Sequence, residues 1–146
     1  MNAMKKTMKV MSGVTLLEIM LVLAIAAMII VMSIRYYQSA SASQQANQVM
    51  EQIQAISAAA DSLSQATGTY SGITTSTIAP LLGTNGLALP WGGTLAYAYS
   101  SPGYTITLGS VPASVCALLQ ARVVINKHFT ASGGCGALAF VFKPNI

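Results

Sequence analysis

An apolar run with no charge in it constrains this chain more than any other feature. Ile19 to Ile34 is sixteen residues with one polar member, Ser33, and no charge lies between Glu18 and Arg35. Counted back to Val14, 21 residues precede Arg35. As a helix they span about 30 Å at roughly 1.5 Å per residue, enough to cross the hydrocarbon core of a bilayer. Glu18 falls inside this segment. A carboxylate there is costly in lipid, which marks it as a candidate functional residue in need of a partner.

Neither glycine nor proline occurs between Gly13 and Gly68, which leaves 54 uninterrupted residues, Val14 to Thr67. If all are helical they span about 80 Å. The first part is apolar all round. The second part is amphipathic: Ala42, Ala46, Val49, Ile53, Ile56, Ala60 and Leu63 step by four and three and so share one face. Gln44, Gln48, Glu51, Gln52 and Ser62 populate much of the rest. The stripe predicts the spine of a small domain, with Gly68 as its stop signal.

Lys5, Lys6 and Lys9 precede the apolar run. A basic N-region before an apolar stretch is also the plan of a secretory signal peptide. The run is longer than a usual signal-peptide core, and Arg35-Tyr36-Tyr37-Gln38 follows it instead of a small-residue cleavage site. The small residue lies ahead of the run, at Gly13. A cut there removes the lysines and keeps the hydrophobic helix.

Gly13-Val14-Thr15-Leu16-Leu17-Glu18, with lysines ahead and an apolar stretch behind, resembles the processing site of type IV prepilins. The resemblance implies a leader, residues 1–13, that a membrane-embedded prepilin peptidase removes between Gly13 and Val14. It implies that Val14 is the N-methylated mature terminus and that Glu18 pairs with the α-amino group of a neighbouring subunit. Many pilins of this family carry a proline about a third of the way along the helix. Arg35 stands there in this chain, so no break is marked in advance.

Residues 68–146 predict a head domain. Gly68 to Gly93 reads as a long loop with one short helix around Ile78 to Leu82. Leu95–Ser100 and Tyr104–Leu108 alternate across the turn residues Ser101-Pro102-Gly103 and predict a β-hairpin. Pro112 opens a helix running to about Asn126. Thr130 to Gly136 reads as loop and Ala137 to Phe142 as a final strand. The expected fold is α+β: a long N-terminal helix, residues 14–35 for the membrane and assembly and 36–67 amphipathic, packed against a small antiparallel sheet. Pro90-Trp91-Gly92-Gly93, then Val111-Pro112 with Cys116 four residues on, are similar to type IVb pilins of thin conjugative pili. Val14 in place of phenylalanine also resembles that subclass.

In an exported chain Cys116 and Cys135 read as one disulfide, and neither has the close Cys or His neighbours of a zinc site. The formal charge of +4 is concentrated in the leader. After Gly13, Arg35, Arg122, Lys127 and Lys143 face Glu18, Glu51 and Asp61, so 4 − 3 leaves +1. That is well short of a nucleic-acid-binding footprint. Leader lysines suit a cytoplasmic anchor. From Gly68 to Ile146 there is no Asp and no Glu. Paired carboxylates for acid–base work are therefore absent from that stretch, and so is a carboxylate calcium site. His128 is the only histidine and reads as a solvated surface residue.

No catalytic residue, metal or cofactor is expected, and no enzymatic activity. The resemblance implies a structural subunit stored in the bacterial inner membrane with its head in the periplasm. It is then polymerised with copies of itself into an extracellular fibre by an assembly ATPase and an inner-membrane platform protein. The alternatives are a minor pilin, a type II secretion pseudopilin, or a membrane-anchored binding protein.

Overall fold

The computed structural model describes residues 13–144, so the leader lysines Lys5, Lys6 and Lys9 lie outside it. In chain order the elements are α1 (Leu16–Thr67), α2 (Thr75–Leu82), β1 (Ala96–Ser100), β2 (Gly103–Gly109), α3 (Ala113–Val123), β3 (Phe129–Ser132) and β4 (Ala137–Phe142). The chain divides into two compact units between Tyr37 and Gln38, just past Arg35, and α1 contributes residues to both.

In the second unit the architecture is α+β. Ala42, Ala46, Val49, Ile53, Ile56 and Ala60 of α1 are buried in one cluster with the apolar face of an antiparallel sheet. Leu63, expected to complete the stripe, is only half-buried. The helix ends where Gly68 adopts φ +80° and its N–H bonds the Ser64 carbonyl at 2.7 Å. That left-handed backbone suits glycine at a helix C-terminus.

The sheet order is β1-β2-β4-β3, with every pair antiparallel. Tyr104, Ile106 and Leu108 of β2 face Phe142, Phe140 and Leu138 of β4. Successive side chains of a strand point to opposite faces, so these three pairs share the core side. Gly103 begins β2 where a Cβ would collide with the Phe142 carbonyl oxygen, so the close approach of β4 requires glycine. β1 is an edge strand, and Thr75 of α2 covers it. Its Oγ1 donates to the Tyr97 carbonyl and accepts the Tyr97 N–H, both at 3.0 Å.

Three expectations change. Residues 129–132 form β3, although Thr130 to Gly136 reads as loop in the sequence. The strand is Phe-Thr-Ala-Ser, exposed but for Phe129, and its conformation comes from pairing with β4. The helix after Pro112 stops at Val123 rather than Asn126, and Pro112 is its N-cap rather than a first-turn residue. α1 begins at Leu16, two residues later than Val14.

Side chains tie the connecting segments to the frame. Gln52 donates to the Ala88 carbonyl at 2.7 Å, and Trp91 Nε1 to the Gly109 carbonyl at 3.0 Å. Arg122 on α3 donates to the Asn47 side chain on α1. Ile73, Ile78, Leu89 and Leu95 bury the long connection into the core.

Candidate functional site

Gly13, Val14 and Thr15 are not helical, and α1 starts immediately after them. Thr15 caps it: its Oγ1 accepts the Glu18 N–H at 3.3 Å, and its carbonyl accepts the N–H groups of Glu18 and Ile19. Glu18 is therefore the third residue of the helix and sits in its first turn. An acid there complements the unpaired N–H groups and the positive end of the helix dipole. Thr15 was missed as a functional residue, yet a Ser or Thr three residues ahead of a Glu is a recognisable helix-start signal. The expected bond between Gly13 and Val14 lies in exposed, non-helical chain. A Cβ on Gly13 would meet nothing within 4 Å among the described residues.

From Leu16 to Ile34 the helix presents large aliphatic side chains on all sides. Leu16 is 81 % exposed, and Ile19 to Ile34 contains only Ser33 as a polar residue, whose hydroxyl bonds back to the Ile29 carbonyl at 2.8 Å. Its hydroxyl is thus satisfied within the helix. The most apolar 18-residue window of α1 has no buried residue. Water is a poor neighbour for so much apolar surface, and at least 18 residues of helix suit a hydrocarbon layer. This one helix is long and apolar enough to serve as a single-pass membrane anchor, while Arg35, Tyr36 and Tyr37 supply a charge and two amphipathic rings at its end.

In the second unit Cys116 and Cys135 are bonded, Sγ–Sγ 2.04 Å, with Cα atoms 5.7 Å apart. The bond joins α3 to the turn before β4. Beside it the Ser110 and Val111 N–H groups donate to the Gly136 and Cys135 carbonyls. The structure therefore brings these two site residues together, while Gly13, Val14 and Glu18 lie in the first unit and are described there by themselves.

The same unit holds an aromatic cluster centred on Tyr104. Its ring centroid lies 4.6 Å from Phe142, 5.1 Å from Tyr97 and 5.5 Å from Tyr70. The Tyr70 hydroxyl donates to Asp61 Oδ1 at 2.8 Å, whereas the buried hydroxyls of Tyr97 and Tyr104 have no hydrogen-bond partner among the described residues. Burial pushes the Tyr97 hydroxyl up to about 12 and raises Tyr104 as well; Tyr70 is raised by burial first and then by its bond to Asp61. Nothing in this cluster resembles an acid–base pair poised for chemistry. His128 is exposed, with Nδ1 3.3 Å from the Lys143 carbonyl oxygen. Among the described residues no three His, Cys, Asp or Glu side chains are placed to hold a metal ion.

No protein-family model, curated protein or solved structure matches this chain.

The exposed half of α1 is thus the surface with the largest unmet demand. It is long and apolar enough for a single-pass membrane anchor, with Glu18 as the one charge between Val14 and Ile34.

Proposed function

We propose that this chain is a structural subunit of a type IV pilus of the IVb kind, a major pilin. It is held in the inner membrane by the apolar part of α1 and polymerised into a fibre through the same surface. One observation carries the reading: an uncharged helical segment with no buried residue, entered by one carboxylate, starts three residues after a glycine that the described fold does not require.

The mechanism is an exchange of covers. In the bilayer, lipid covers the helix. In the fibre, the helices of other copies cover it, so the hydrophobic term is largely retained and close packing with polar pairing selects the register. Prepilin peptidase cuts between Gly13 and Val14 and methylates the new amine. The local structure suits that step, because the bond lies outside the helix that Thr15 caps. The freed α-amino group of one copy then pairs with Glu18 of another. A carboxylate among packed apolar helices is tolerated when paired and strongly destabilising when its partner is missing. The assembly ATPase and platform protein supply the work of extraction.

Glu18→Gln tests the mechanism. Glutamine keeps the shape and serves equally well at the third helical position, so the helix start is retained while the charge is lost. The variant is expected to be processed, to accumulate in the membrane and to form few or no fibres, as counted by electron microscopy. Mass spectrometry of the mature chain is expected to find Val14 first, N-methylated. Normal fibre numbers in Glu18→Gln would remove the charge pair from the mechanism, and a mature chain that keeps Met1 would remove the processing step.

A further inference from the structure

The two most exposed large apolar residues of the second unit are Val124, 76 % exposed, and Ile125, 82 % exposed. They form the turn that follows α3, with Lys127 exposed two residues further on. Isolated apolar surface residues are ordinary, but an adjacent aliphatic pair on an exposed turn beside a cation offers a surface for docking. On another face of the same unit is a groove of about 480 Å³. Ala55, Leu82, Ala88 and Pro90 supply its apolar lining, and Glu51 lies on it with Gln48 and Gln52. Among the described residues no cation lines that groove, and no acid lines the hollow beside the turn, where Met50, Gln54, Arg122, Ile125 and Lys127 meet. Turn and groove therefore match in both respects: aliphatic side chains for an apolar hollow, and an ammonium for a carboxylate.

They cannot meet within one chain. At 100° per residue, Met50 and Gln54 fall on one flank of the buried stripe of Val49, Ile53 and Ile56, and Gln48, Gln52 and Ala55 fall on the other. We propose that the Val124–Ile125 turn of one copy docks in the α1–α2 groove of a second copy, with Lys127 pairing to Glu51. The two surfaces differ, so the contact is heterologous. Each copy that gives its turn keeps a free groove for the next, and such a contact propagates along one direction instead of closing into a symmetric pair. The inference deepens the fibre reading and rests on it for the crowding of copies in one membrane. Arg122 is already engaged by Asn47 of its own chain, which leaves Lys127 as the pairing cation.

The test is zero-length carbodiimide cross-linking of the full chain, both in membranes and on sheared fibres. An amide between Glu51 and Lys127 in a product of twice the chain mass is the expected result, since the two residues lie on opposite flanks of the buried stripe within one chain. Ile125→Ser should cut its yield at least about fivefold through loss of apolar burial, with the Cys116–Cys135 bond still formed as the check on folding. Glu51→Lys and Lys127→Glu should each lower fibre numbers, and the double exchange should restore them, which mere misfolding does not do. Fibres without the cross-link, or a double exchange no better than the single changes, would overturn the contact and leave the fibre reading standing. Absence of fibres from the parent strain, with the cross-link still formed in its membranes, would overturn the fibre reading and keep the contact.

Discussion

The two halves of α1 share a backbone and differ in almost everything else. Among the described residues up to Tyr37 none is buried; from Ala42 onward six residues of α1 are buried on one stripe. Both halves are rich in helix formers and free of glycine and proline, so helix formation does not separate them. The difference is in how apolar surface is distributed. A one-sided stripe is covered by a sheet of the same chain. An all-round apolar surface cannot be covered by one small domain, so it demands lipid or other chains. One half of the helix thus serves intramolecular folding, and the other is long and apolar enough for a single-pass membrane anchor.

Substituting one buried and one exposed isoleucine sharpens this contrast most. Ile56 is fully buried, so Ile56→Ala is expected to cost about 2–5 kcal/mol of head stability through lost burial and a residual cavity. Ile25→Ala, at an exposed position, is expected to leave head stability within about 0.5 kcal/mol. The check is denaturant unfolding of the detergent-solubilised full chain, followed by near-ultraviolet circular dichroism. Equal losses at the two positions would mean that the halves are not energetically distinct.

Next in size is the disulfide. It spans a separation of 19 residues, so replacing both Cys116 and Cys135 by serine is expected to cost roughly 3 kcal/mol on the chain-entropy account. The loss should appear as lower abundance of the chain, read by immunoblot, while membrane insertion through the first half is unaffected. A double variant as abundant as the parent would show that the second half does not depend on the staple.

The smallest effect concerns alkali. Tyr97 has a folded-state value of about 12 against an ordinary value near 10. Its neutral form is favoured by the fold, so this contribution to stability is complete below pH 10 and is lost as pH rises through 12. Tyr97→Phe is expected to flatten the fall of head stability across that window, read by unfolding at stepped pH. Tyr104→Phe is expected to be neutral or stabilising by about 1 kcal/mol at neutral pH, since its buried hydroxyl has no partner to lose. A large loss in Tyr104→Phe would show that the hydroxyl has a partner after all.

Much of this was legible from residues alone, because the relevant signals are local. The four-three spacing of Ala42 to Ala60 marks the buried face of α1, since helical geometry alone puts those positions together. The absence of charge from Ile19 to Ile34 marks the uncovered half. Gly68 marks the end of the helix, and alternation on either side of Ser101-Pro102-Gly103 marks the β1–β2 hairpin. Thr15 as the cap is equally local, since a Thr three residues ahead of Glu18 is a helix-start pattern.

What the sequence by itself determined is the set of elements whose cause lies within a few residues: both halves of α1, the hairpin, the body of α3 and the strand Ala137–Phe142. Tertiary structure alone decided the rest. The segment Phe129–Ser132 alternates apolar and polar over only four residues, three of them exposed, too short a signal to mark a strand by itself, and β4 supplies its backbone partners. The place of β4 between β2 and β3 assembles Tyr104, Phe129 and Phe142 from three strands into one aromatic cluster. The two grooves flanking α1 likewise exist only where α2 and α3 come to rest. The physical reason is one of range. Periodicity, caps and turn residues act over a turn or two of chain, whereas pairing, burial and shape depend on what distant segments bring to the same place.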